Sequence, residues 1–245
     1  MTTAARLTWQ AADPATLAAS LADRLAVVPV ADRDRFAIPL GTAVLEVVPW
    51  RAEHAADRPS PGGRLVLEPA WEEADRSVVA PGDADGLRLV AVAWCTVELD
   101  RAERELGMWL EDPEAPNDSA AATDADGVDP HLGAVTRSRA APHLPGGRLV
   151  FAEPTTEGRV AASLARDAEG PCGLYLTLAS AAGSPTLARW VADARTRGAT
   201  LARREDGPFG AQVLVLGGPA AGPHLLVAEQ GRHPARSARR VPSAT

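Results

Sequence analysis

"PGGRLVLEP" (Pro61–Pro69) and "PGGRLVFAEP" (Pro145–Pro154) write almost one phrase twice, 84 residues apart. Self-similarity at a fixed period is the mark of a fold assembled from repeated supersecondary units. The repeat extends past the phrase. "LTWQAADPATLAASLADRL" (Leu7–Leu25) answers to "VAWCTVELDRAERELGMWL" (Val92–Leu110), with Trp9 and Trp94 in matching places. Each segment reads as a short strand that reaches an acidic residue, Asp13 or Glu98, and then a helical pattern. Asp13 is a side-chain acceptor for an N-cap, and Pro14 suits the first helical position. Leu17, Leu21 and Leu25 then recur every fourth residue, an apolar helical stripe.

A third unit starts at "CGLYLTLAS" (Cys172–Ser180). A helix is predicted over Ser184–Gly198, with Ser184 as N-cap, Pro185 at its first position and Gly198 as its stop. "RFAIPL", "TAVLEVVPW" and "GRLVLEP" read as the later strands of the first unit. "LGAVTRSR" and "GRLVFAEP" serve the second, and "TLARRE", "AQVLVL" and "PHLLVAE" the third. The expected fold class is therefore α+β, with a strand–helix–strand–strand–strand (βαβββ) unit present about three times. The expected bounds of these modules are 1–85, 86–170 and 171–230. The acidic stretch 111–130 is read as a solvated loop, its "DADG" as a turn, and 231–245 as a disordered basic tail.

The chain has 245 residues and a net charge of −7, which disfavours nucleic acid as a general partner. Its apolar runs are too short to span a bilayer, and its start lacks a signal-peptide pattern, so a cytoplasmic protein with no membrane partner is expected. All 25 basic residues are arginine, which excludes lysine Schiff-base chemistry. Cys95 and Cys172 lie far apart, form no CxxC, and read as small core residues. No nucleophile elbow, P-loop or dinucleotide fingerprint is present.

The phrase "VELDRAERELG" (Val97–Gly107) and the stretch "LVFAEPTTEGRVAASLARDAEGPCGLYLTLA" (Leu149–Ala179) resemble the strand-to-helix junction and the inter-module connection of the vicinal oxygen chelate superfamily, a glyoxalase-like family. The resemblance covers most of residues 5–230. It implies sheets that curl in pairs into a cup, the second and third modules sharing one. In the family that cup holds a divalent metal on histidine, glutamine and glutamate ligands. Here the matching places fall on Arg6, on Ala91, on Cys172–Gly173 and on Leu226. Only Glu46 stands where a family carboxylate would, so no metal and no cofactor are expected.

Strand alternation puts Arg6, Thr8 and Gln10 on one face, with Ala91, Ala93 and Cys95 on the matching face of the second module. Arg6, Thr8, Gln10, Glu46, Cys95 and His224 are the candidate ligand-binding residues; no catalytic residue is identified. Glu68 and Glu153 read as strand-end residues bonding backbone groups, and His131 and His143 as exposed. Trp9, Trp94 and Trp190 read as helix-facing core, and Trp50, Trp71 and Trp109 as possible pocket rim. The leading expectation is a metal-free protein that binds a small molecule in its cup, rather than an enzyme. One alternative is a metal-dependent lyase, isomerase or dioxygenase with non-standard ligands drawn from Glu46, His131, His224 and Glu229. The other is a degenerate structural or assembly protein. The odd module either packs inside the chain or pairs two chains in a homodimer.

Overall fold

The structure, a computed structural model, describes residues 5–41, 43–50, 64–67, 86–107, 110, 125–178, 186–217 and 223–229. The strands form two mixed sheets. β1 (Ala5–Ala11), β2 (Val30–Asp32), β3 (Arg35–Leu40), β4 (Ala43–Pro49) and β5 (Arg64–Leu67) build a five-stranded sheet in the order β2-β3-β4-β1-β5. β6 (Leu87–Cys95), β7 (Ala125–Asp129), β8 (Ala134–Ala140), β9 (Arg148–Pro154), β10 (Gly170–Leu178), β11 (Glu205–Gly207), β12 (Gly210–Val215) and β13 (His224–Ala228) build an eight-stranded one. Its order is β11-β12-β13-β10-β6-β9-β8-β7. The edge strands β11 and β7 approach one another, so this sheet curls nearly closed.

The larger sheet repeats one motif about the antiparallel pair β6–β10. β6 runs parallel to β9 and β10 parallel to β13, and each then continues outward as a meander. In the smaller sheet β1 runs parallel to β4 in the same way. β5 sits antiparallel beside β1, the relation that β6 and β10 have with each other. This corrects the reading of the repeated phrase. Its second copy is β9, a parallel partner of β6, whereas its first copy is β5, an antiparallel partner of β1. The true counterpart of β9 is β4. One sequence fills two different slots because pairing is settled by the strand it meets, not by its own pattern.

The helices follow their local chemistry. α1 (Pro14–Leu25) starts at Asp13, whose carboxylate accepts from Thr16 N at 3.0 Å. α2 (Leu99–Glu105) is capped from outside, with Leu99 N donating to Glu153 Oε2 at 3.0 Å. Glu153 thus bonds a backbone group, as expected of it. α4 (Leu187–Thr196) is capped by Thr186 rather than Ser184, two residues later than predicted; Ser184 and Pro185 lie outside the described residues. Gly198 ends it at φ 89°, in the left-handed region that glycine adopts freely.

α1, α2 and α4 bury Leu21, Leu25, Ala102, Leu187, Trp190 and Ala194 in one core shared by both sheets. Trp9 on β1 and Trp190 on α4 belong to it, and Trp94 packs against it. The smaller sheet therefore packs onto the larger one within the chain. α3 (Arg159–Asp167) was not foreseen, and it lies on the opposite face. Its Val160 and Leu164 pack with Ala91, Ala93, Val150, Ala152 and Leu226 on the concave side of the larger sheet. No helix among the described residues is long and apolar enough to cross a membrane.

Candidate functional site

The concave side of the eight-stranded sheet is filled. Ala91, Ala93, Val150, Ala152, Tyr175 and Leu226 are each fully buried there. The small residues of β6 leave room for α3, which is fixed at both strand systems. Arg159 Nη1 donates to His131 O at 3.1 Å, and Ser163 Oγ lies 3.5 Å from His224 Nε2.

The polar centre of this side is Asp129, at the end of β7 and fully buried. Its Oδ1 accepts from His131 N at 2.9 Å and Leu132 N at 3.1 Å. Its Oδ2 accepts from Tyr175 Oη and Gln212 Nε2, both at 2.8 Å. Four donors satisfy the carboxylate, which makes its burial tolerable. Burial and the adjacent Asp129 charge push the Tyr175 phenol well above its usual value, so it stays a neutral donor. Two readings are overturned here. The end of the acidic stretch, including Asp126 and Gly127 of its "DADG", is strand β7 rather than loop or turn. His131, expected to be exposed, is buried, with Nε2 3.4 Å from Gln212 O. His143 is exposed as expected.

The described residues of this cup hold no group of histidine, cysteine or acidic side chains placed together to ligate a divalent metal. Asp129 has its lone pairs committed, and Gln212 Oε1 and Thr136 Oγ1, the concave-side oxygens without a partner among the described residues, are neutral. Gly173 is one of the two residues that the sequence resemblance set at a ligand position. A Cβ there would come within 2.8 Å of His224 O on β13, so no side chain of any kind can project from it. Among the described residues no three histidine, cysteine or acidic side chains converge on one point. In particular Glu46, His131, His224 and Glu229 do not. Glu46 is in the smaller sheet, and Glu229 accepts from Arg204 Nη2 at 3.0 Å.

The six candidate ligand residues fall into two groups. Thr8 and Glu46 are register neighbours on β1 and β4, both mostly buried, and Gln10 follows on the same face. This is the face opposite α1, because Leu7, Trp9, Leu45 and Val47 turn to the core. The Arg6 backbone pairs with Val44, and its side chain is outside the described residues. Arg64 and Val66 of β5 are register partners of Gln10 and Thr8. Cys95 and His224 lie instead in the larger sheet, and both are buried. Burial, aided by the Arg159 and Arg166 charges, pushes the His224 imidazole down to about 4. Trp50 is partly buried, while Glu68, Trp71, Trp109 and the basic tail lie outside the described residues.

A small cleft of about 100 Å³ opens between the two sheets. Arg64 and Leu65 form one wall, Ser163, Arg166 and Asp167 of α3 another, and Trp94, Cys95 and Cys172 also line it. The sequence placed the two cysteines apart in separate modules; the structure brings them together. No local signal announced this: Cys95 ends β6 while Cys172 stands near the start of β10, and the antiparallel pairing of the two strands brings those ends together.

No family model and no curated protein matches the sequence. Solved structures do. A variant of 4-hydroxymandelate synthase from Streptomyces coelicolor aligns over 94% of this chain and 92% of its own, at TM-score 0.56 and 13% identity. Methylmalonyl-CoA epimerase from Mycobacterium tuberculosis aligns over 58% of this chain and 87% of its own, at TM-score 0.43 and 16% identity. The first of these carries the assignment of fold. The chain has the glyoxalase-like vicinal oxygen chelate fold that its sequence resembles.

Proposed function

We propose that this protein uses the vicinal oxygen chelate fold, as three βαβββ modules, to bind a small molecule without a resident metal. The observation that carries the reading is the filled cup: α3, Tyr175 and the saturated Asp129 occupy the space where a chelated substrate would sit. The ligand site then moves to the smaller sheet. The face of β1 and β4 opposite α1 carries Thr8, Gln10 and Glu46 beside Val44 and Val66, an apolar floor with a few polar anchors. Ligand sites generally have that make-up. A hydroxyl, an amide and a carboxylate together suit a ligand rich in hydrogen-bond donors.

Thermal shift against a panel of small polar metabolites tests this. A true ligand at about 100 times its Kd stabilises the wild type by about 2.7 kcal/mol. Glu46→Gln and Gln10→Ala each abolish that shift, read against the unliganded melting curve of the same variant. A shift that survives both substitutions, or no shift across the panel, contradicts the assignment.

A further inference from the structure

Cys95 and Cys172 meet at the centre of the larger sheet, where β6 and β10 run antiparallel. The ladder changes register between Pro171 and Gly173, so Cys172 is an extra residue outside the regular alternation. The irregularity places its side chain on the concave face that carries Cys95. The two buried thiols share one side-chain cluster and line one cleft, and the Cys95 thiol donates to Ala168 O at 3.5 Å. Ala168 has φ 60° and ψ −157°, a region costing a non-glycine residue about 1–3 kcal/mol. That strain sets its carbonyl against the Cys95 thiol. Both sulfurs line the cleft between the sheets, which gives them a route to solvent that an ordinary core cysteine lacks.

The two thiols are not equivalent. The hydrogen bond from Cys172 lowers the Cys95 pKa, and the same contact, with burial, pushes Cys172 well above the usual thiol value. One sulfur is thus readier to become a thiolate while its neighbour keeps a proton to deliver.

We propose that Cys95 and Cys172 form a peroxide-oxidisable dithiol that closes to a disulfide joining β6 to β10. The Cys95 thiolate attacks one oxygen of hydrogen peroxide. An S–O bond forms, the O–O bond breaks and hydroxide leaves, so the sulfur is oxidised to a sulfenic acid and the peroxide is reduced. The Cys172 sulfur then attacks the Cys95 sulfur. An S–S bond forms, the S–O bond breaks, and water leaves with the Cys172 proton. In sum two thiols and one peroxide give one disulfide and two waters. The closure joins neighbouring strands through side chains that share one face, and the bond it forms has an S–S separation of about 2.05 Å.

The test is hydrogen peroxide treatment of the native full chain, with circular dichroism confirming that it stays folded. Alkylation of the denatured product and intact mass follow. The wild type should lose two hydrogens and resist alkylation, reversibly with a dithiol reductant. Cys172→Ala should instead hold a sulfenic acid on Cys95 that a dimedone probe captures, and Cys95→Ala should stay unoxidised at Cys172. Should either variant fold poorly, the wild-type mass and a disulfide-mapping digest decide alone. Two alkylatable thiols after treatment, Cys95 over-oxidised with Cys172 free, or closure only in denaturant would each overturn the proposal.

Discussion

Asp129→Ala should unfold the protein or bring it close to unfolding, with an expected loss of about 5 kcal/mol. The substitution leaves four buried donors without their acceptor: the amides of His131 and Leu132, the Tyr175 hydroxyl and the Gln212 amide. Unpaired buried groups cost about 1–3 kcal/mol each, and these four come from the turn between β7 and β8, from β10 and from β12. Asp129→Asn retains the acceptor facing the two backbone amides but sets an amide NH2 against the Gln212 donor, so roughly half the loss is expected. Urea midpoints of the three proteins measure both effects. A change below about 1 kcal/mol for the alanine variant would place it among ordinary surface substitutions and deny the network its role.

The second large effect is on acid stability. The His224 imidazole titrates near 4 in the folded chain against 6.5 when free, because it is buried and faces Arg159 and Arg166. The unfolded chain therefore takes up a proton first as pH falls. This contribution is complete above about 6.5 and is lost on the way down through about 4, a drop of about 3 kcal/mol over that window. Carboxylates titrate in part of the same range, so the measurement is the difference between wild type and His224→Gln. The wild type should lose stability more steeply between pH 7 and pH 4. Parallel pH profiles would mean that His224 is protonated or solvated in the folded protein.

Those residues show what a sequence can and cannot reveal. Asp13, Pro14 and Thr16 announce α1 because a cap is a contact three residues long. Trp9 and Trp94 mark the start of two modules because each must pack beneath its own helix. Asp129 was invisible: it stands in an acidic run of low strand propensity, and two of its four donors come from 46 and 83 residues away. The α3 helix shows a short apolar pattern, Val160 and Leu164, but nothing local says which side of a sheet it covers. The repeated phrase misplaced one strand, since its two copies, β5 and β9, differ in partner rather than in sequence. The cysteine pair follows from the register change at Pro171–Gly173, a property of two strands together.

The central claim is that the larger cup has been closed by its own side chains and has no place for a divalent ion. Elemental analysis of the purified protein, after exposure to manganese, iron, nickel and zinc in turn and then to a chelator, addresses it directly. The account predicts no ion retained in stoichiometric amount and a melting temperature unchanged by chelation. One tightly held ion per chain, with a melting temperature that falls on its removal, would contradict it.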